Sequence, residues 1–180
     1  MHAVKRAMFE RIWVGLLYSK KVESGELFRI DKGIYALKKH IPEIAIVSFK
    51  YPNAVVTMGS AFYLYGLTDV IPDVIDLATP RDAAKIKDKR VKQYFVSEEF
   101  FKEGIDHIDY EGYRISVYSK ERMLVELLRY KSKLSYDFYK EVVLNYRKIL
   151  PTLNIQEIQD LALDAPKSAK VLDLLQSEVL

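Results

Sequence analysis

Apolar residues recur at helical spacing through the first stretch of the chain. Phe9, Ile12, Trp13, Leu16 and Leu17 share one face, while Lys5, Arg6, Glu10, Arg11 and Lys20 take the others. The spacing predicts one helix from about Val4 to Val22, and Ser24-Gly25 marks its end. The period then changes. Leu27 to Ile30 and Ile34 to Leu37 flank Asp31-Lys32-Gly33, a three-residue connection with glycine where a positive φ is needed, which predicts a β-hairpin.

Pro42 opens a second predicted helix, to about Tyr51, and Pro52-Asn53 breaks it. Ala54 to Thr57 is a short apolar run read as extended, and a compact helix follows from about Ser60 to Tyr65, ended by Gly66. Val74 to Thr79, closed by Pro80, and Val91 to Val96, with Tyr94 and Val96 on one face, read as strands. Ser97 is placed to cap a short helix holding Phe100 and Phe101, with Gly104 ending it. Ile105 to Tyr110 and Tyr113 to Tyr118 bracket Glu111-Gly112 as a second hairpin.

Beyond Ser119 the pattern is helical. Ser119 is an N-cap residue with Glu121 in the first turn, and Met123, Leu124, Leu127 and Leu128 form the inward face. A further helix from about Tyr136 to Ile149 is expected to bury Phe138, Val142, Val143 and Tyr146 before Pro151 stops it. Two shorter ones follow, from about Ile155 to Leu163 and Lys167 to Val179. The expected fold is α+β. A partial winged-helix-like helix and hairpin (residues 1–40) precede a mixed α/β domain with a small sheet and a C-terminal helical region (residues 41–180), the seam lying at His40 to Glu43.

Composition changes this picture in four ways. With no cysteine among 180 residues, disulfides, thiol catalysis and cysteine-ligated zinc are excluded. Charges spread through Met1 to Ser24 predict no signal peptide, and no apolar run reaches membrane-spanning length, so a soluble cytoplasmic protein is expected. The net charge of +3 is mild, so a nucleic-acid footprint would have to come from local clustering. The 13 tyrosines, amphipathic and frequent at interfaces, suit a chain with a partner.

Candidate chemistry is sparse. His2, His40 and His107 have no second histidine at helical spacing, so no metal site and no cofactor are proposed. No nucleophile elbow and no phosphate-cradling glycine loop is present, and no catalytic residue is assigned. Asp69, Asp73 and Asp76 gather near a strand as a metal-dependent nuclease would require. Asp76, however, alternates with Ile75 and Leu77 as on a half-exposed strand. The densest basic run is Lys85, Lys87, Lys89, Arg90 and Lys92, with Arg81 before it, diluted by Asp82 and Asp88. It reads either as a phosphate- or RNA-facing patch or as a solvated loop. Lys5, Arg6, Arg11, Lys20, Lys21, Arg29 and Lys32 lie on the helix and hairpin that a winged helix presents to DNA. Arg122, near a helix N-terminus, opposes the dipole and calls for a carboxylate partner or an external anion.

Three segments carry a resemblance. Ser60 to Asp69 reads S-A-F-Y-L-Y-G-L-T-D, with Ile71-Pro72 after it; then come Leu77-Ala78-Thr79-Pro80-Arg81 and Val117-Tyr118-Ser119-Lys120-Glu121-Arg122. With Gly25-Glu26-Leu27 and Gly33-Ile34-Tyr35 upstream, this series resembles the AbiEi family of bacterial antitoxins from abortive-infection operons. The resemblance implies a winged module that represses the operon and a C-terminal domain that counters a nucleotidyltransferase-like toxin without catalysis and without a stable complex. Operator DNA is then an implied partner, an RNA target another candidate, and no membrane is involved. Ser60, Gly66, Leu67, Thr68, Asp69, Pro80, Arg81, Tyr118, Ser119 and Arg122 match the antitoxin domain, as do Pro72, Leu124 and Glu126; Leu27, Arg29, Gly33, Ile34 and Tyr35 match the wing. The chain departs from the family pattern in having only Met1 to Ser24 before the wing. The alternatives are a transcriptional regulator without antitoxin activity and a nuclease using Asp73 and Asp76.

Overall fold

The computed structural model describes residues 12–14, 22 and 24–180. The chain divides into two compact units, Met1–Lys50 with Asp109–Ile115, and Tyr51–Ile108 with Ser116–Leu180.

In the first unit, strands β1 (Ile12–Val14), β2 (Phe28–Asp31) and β3 (Ile34–Ala36) form an antiparallel sheet in the order β1-β3-β2. The expected helix over Val4 to Val22 is therefore wrong at Ile12–Val14, and most of the rest of it lies outside the described residues. A three-residue Ile-Trp-Val run is β-branched and aromatic. Pairing Ile12 with Ala36 and Val14 with Ile34 satisfies its backbone where helical periodicity alone could not decide. The hairpin connection is also one residue shorter than expected. Asp31 pairs with Ile34, leaving Lys32-Gly33 as the turn, with Gly33 at φ +75°. A register shift between Arg29 and Asp31 absorbs the difference. Helix α1 (Glu43–Lys50) buries Ala45, Ile46 and Val47, and Lys50 Nζ reaches Asp31 Oδ2 at 3.2 Å, tying α1 to the hairpin.

A mixed five-stranded sheet, β6-β5-β4-β8-β7, belongs to the second unit except for Asp109–Ile115 at the β7–β8 turn. Its strands are β4 (Val55–Val56), β5 (Ile75–Pro80), β6 (Val91–Val96), β7 (Ile105–Tyr110) and β8 (Tyr113–Tyr118). β4 runs antiparallel to β5 and parallel to β8, and β5 runs parallel to β6. Helices α2 (Met58–Leu64) and α3 (Glu98–Phe101) lie between strands. Then α4 (Lys120–Tyr130), α5 (Tyr136–Ile149), α6 (Ile155–Asp164) and α7 (Ser168–Glu178) complete the chain. The fold is α+β, with small sheets and a helical C-terminal region. β5 is buried on both faces, which a strand flanked by two others and covered by helices must be. α4 is the interior helix: Met123, Leu124, Val125, Leu127 and Leu128 are fully buried, and it packs against α2, α6 and α7.

Two local expectations change. Ser97 occupies the N-cap of α3 without a side-chain cap bond. On α5, Val142, Val143 and Tyr146 are buried as expected, but Tyr139 is buried where Phe138 was expected and Phe138 is only half-buried. Among the described residues no helix is long and apolar enough to cross a membrane.

Candidate functional site

The motif residues fall into three hydrogen-bonded clusters in the second unit. The first joins α2 to β5. Ser60 Oγ accepts a hydrogen bond from the Asp76 amide at 2.9 Å and lies 3.5 Å from the Val74 carbonyl. The Thr57 amide donates to the Asp76 carbonyl at 3.0 Å. The Asp76 carboxylate accepts from the amides of Ser60 and Gly59 and from the Tyr94 hydroxyl. Burial nevertheless pushes its pKa up, against the pull of Lys92 and of these donors. Asp76 is thus a buried side chain, only 7% exposed, and not one on a half-exposed strand as expected. Alternation along β5 shows which residues share a face but not whether that face is covered, and here α2 covers it. A Cβ at Gly59 would sit 3.0 Å from Asp76 Oδ2, so glycine permits this close approach. The preceding Met58 is buried at φ +46°, a strained conformation for a non-glycine residue that the surrounding packing must hold.

The second cluster is the turn after α2. Gly66 takes φ +65°, its amide donates to the Tyr63 carbonyl, and the Leu67 amide donates to the Phe62 carbonyl at 2.9 Å, a Schellman ending. Leu67 is buried beneath it. Thr68 Oγ1 accepts from the Val70 amide at 3.1 Å. Two contacts fasten the turn to α5: Asn145 Nδ2 donates to the Leu67 carbonyl at 3.0 Å, and the Asp69 amide donates to Glu141 Oε1 at 3.3 Å. Val70 and Ile71 follow, both exposed.

The third cluster surrounds Arg122. Ser119 Oγ accepts from the Arg122 amide at 3.1 Å, as an N-cap. The guanidinium is 0% exposed and lies 3.4 Å from the centroid of the Phe100 ring and 4.4 Å from that of Tyr118. It donates to Glu126 Oε1 at 2.8 and 3.1 Å and to the carbonyls of Phe100 and Glu103 at 2.6 and 2.8 Å. Arg129 closes the far side of the same carboxylate at 2.6 Å. The spacing Arg122-Glu126-Arg129 is helical and visible in the sequence, yet Arg129 carried no sequence signal of its own. Tyr118 is fully buried, its hydroxyl donating to the Phe101 carbonyl at 3.0 Å, and burial raises its pKa. Tyr65 bridges the first segment to the third, donating to the Tyr118 carbonyl at 2.8 Å.

The remaining sequence-predicted residues lie apart. Pro80 ends β5, paired with Val96, and Arg81 beyond it is exposed, with no partner among the described residues. Lys85, Lys87 and Lys89 are exposed, while Arg90 grips Asp88 at 2.9 and 2.7 Å. Arg29 and Lys32 are exposed on the β2–β3 hairpin; Lys5, Arg6, Arg11, Lys20 and Lys21 fall outside the described residues. Among the described residues no three His, Cys, Asp or Glu side chains gather to hold a metal ion. Asp69 and Asp73 are exposed while Asp76 points inward to its own donors. Comparison with known proteins finds no family model that matches this chain and no curated protein that matches it in sequence.

Proposed function

We propose that this chain is a non-enzymatic antitoxin of the AbiEi type, countering a nucleotidyltransferase-like toxin without forming a stable complex with it. One observation carries the reading. Of the segments that bear the resemblance, the first is tied to the third by Tyr65–Tyr118 and to Asp76, the residue just before the second, by Ser60, all in one unit. A motif set that specifies one fold should make such mutual contacts, and chance matches scattered along a chain have no reason to. Most of the matched residues are buried parts of that fold, so the activity belongs to the exposed ones beside them, Asp69 and Arg81. Co-expression with the adjacent toxin gene tests this: growth should be restored by the chain, and continued arrest at matched expression would overturn it.

A second reading, a transcriptional regulator, is favoured by the antiparallel β1-β3-β2 sheet, whose hairpin carries exposed Arg29 and Lys32 as a wing would. It predicts a shift of upstream operon DNA in gel mobility that weakens on Arg29→Ala and Lys32→Ala; no shift at low salt would dismiss it.

A further inference from the structure

The edge strand β6 and the end of α4 bring two tyrosines and a set of unpaired lysines together, outside the three motif clusters. Tyr94 and Tyr130 meet edge to face, with ring centroids 5.7 Å apart. Lys92 Nζ lies 5.1 Å from the Tyr94 centroid, and Lys133 Nζ lies 5.0 Å from that of Tyr130. Both lysines are exposed, and neither has a carboxylate within ion-pair distance among the described residues. A cation resting on an aromatic face holds it weakly, by about 0.5–1 kcal/mol where water reaches it. These lysines, with Arg129 Cζ 5.6 Å from the Tyr130 centroid, mark half-buried ring surface on which cations rest.

The loop before β6 adds charge along the same edge from the other face of the strand, since Gln93 points away from Lys92 and Tyr94. Gln93 accepts from the Ile86 amide at 2.8 Å and donates to the Ala84 carbonyl at 3.2 Å, fixing the loop against β6. That places Lys85 and Lys87, on either side of Ile86, beside the strand, with Lys89 further on. The local carboxylates do little to offset this. Asp88 is held by Arg90, Glu126 by Arg122 and Arg129, and Asp76 is buried under the Tyr94 hydroxyl; only Asp82 is exposed on the loop.

We infer that the Tyr94–Tyr130 pair with Lys92 and Lys133 forms a binding platform for single-stranded nucleic acid, whose backbone continues round the β6 edge to Lys85, Lys87 and Lys89. Unstacked bases take the tyrosine faces, and the displaced lysines move onto phosphates. Duplex bases are already stacked, so a duplex offers this surface only its phosphates. The site stands independently of the antitoxin reading: it borders the motif clusters where Tyr94 and Lys92 face Asp76 and where Arg129 lies over Tyr130, but none of its own residues belongs to the matched motifs.

The test is fluorescence anisotropy of the full chain with oligo(U), oligo(dT) and a duplex, each about 15 nucleotides long, a length within the span of known single-strand sites. Either single strand should bind more tightly than the duplex, and preference for oligo(U) would name RNA as the source. Tyr130→Leu and Tyr94→Leu should each weaken binding about tenfold, whereas Tyr94→Phe should not. Exchanging Lys85, Lys87 and Lys89 together for Gln, all on the surface, should flatten the salt dependence by about 0.7 per lysine in the log–log slope. No binding at low salt would overturn the proposal. So would equal affinity for duplex with no effect of the tyrosine variants, the signature of phosphate attraction alone.

Discussion

Replacing Arg122 by alanine removes the most heavily bonded side chain of the second unit. The guanidinium is 0% exposed and satisfies the carbonyls of Phe100 and Glu103 as well as Glu126. Truncation leaves a gap between the Phe100 and Tyr118 rings and strips the Phe100 carbonyl of its buried donor, about 1–3 kcal/mol for that group alone. Glu126 keeps Arg129, so its charge is not stranded, and the unpaired carbonyl and the cavity left between the rings together cost about 3–5 kcal/mol. Against a typical total of about 5–15 kcal/mol this is a large fraction. With an m-value of about 2 kcal/mol/M, the urea midpoint should fall by about 1.5–2.5 M at unchanged m. Arg122→Met, which refills the space between the rings but donates nothing, should cost roughly half as much. A midpoint within about 0.5 M of the wild type for Arg122→Ala would refute the reasoning, because buried bonds of this kind cannot be lost so cheaply.

Gly104 sits at φ +67°, and a Cβ there would meet the Arg122 Cβ at 2.6 Å. Gly104→Ala should therefore cost about 2–4 kcal/mol, while Gly112→Ala, at φ +82° with open space around it, should cost only about 1–2. Equal losses in urea melts would contradict the clash. Asp76 supplies a pH test. Burial raises its pKa above the ordinary 3.8, so the stability of the protonated carboxyl is present below that value and is lost as the pH rises through the folded one. Relative to Asp76→Asn, the wild type should weaken from about pH 4 upward, and parallel stability profiles would remove the effect. Arg81→Ala, at an exposed position, should abolish toxin neutralisation while leaving the urea curve unchanged; retained growth rescue would take Arg81 out of the activity.

Legibility in the sequence followed how local the deciding physics is. Glu111-Gly112 between two alternating runs gave the β7–β8 hairpin its observed bounds, since turn chemistry and period sit within a dozen residues. Ser119 caps the helix it precedes, another local signal, whereas Ser97, of the same type, makes no cap bond. Ile12–Val14 was misread because three apolar residues fit either period, and only pairing with β3 decides between them. The candidate clusters depended on non-local facts in the same way. Nothing in the order of residues says that α2 covers Asp76, or that the Phe100 and Glu103 carbonyls converge on Arg122 from a different element. The Tyr94–Tyr130 pair, 36 positions apart, was invisible for that reason.

The most direct test of the central claim is growth rescue from the adjacent toxin by a chain lacking residues 1–40, compared with the full chain at matched expression. The account predicts equal rescue by both, because the contacts among the resembling segments all lie within the second unit. Rescue by the full chain alone would move the activity to the N-terminal unit, and rescue by neither would contradict the antitoxin reading.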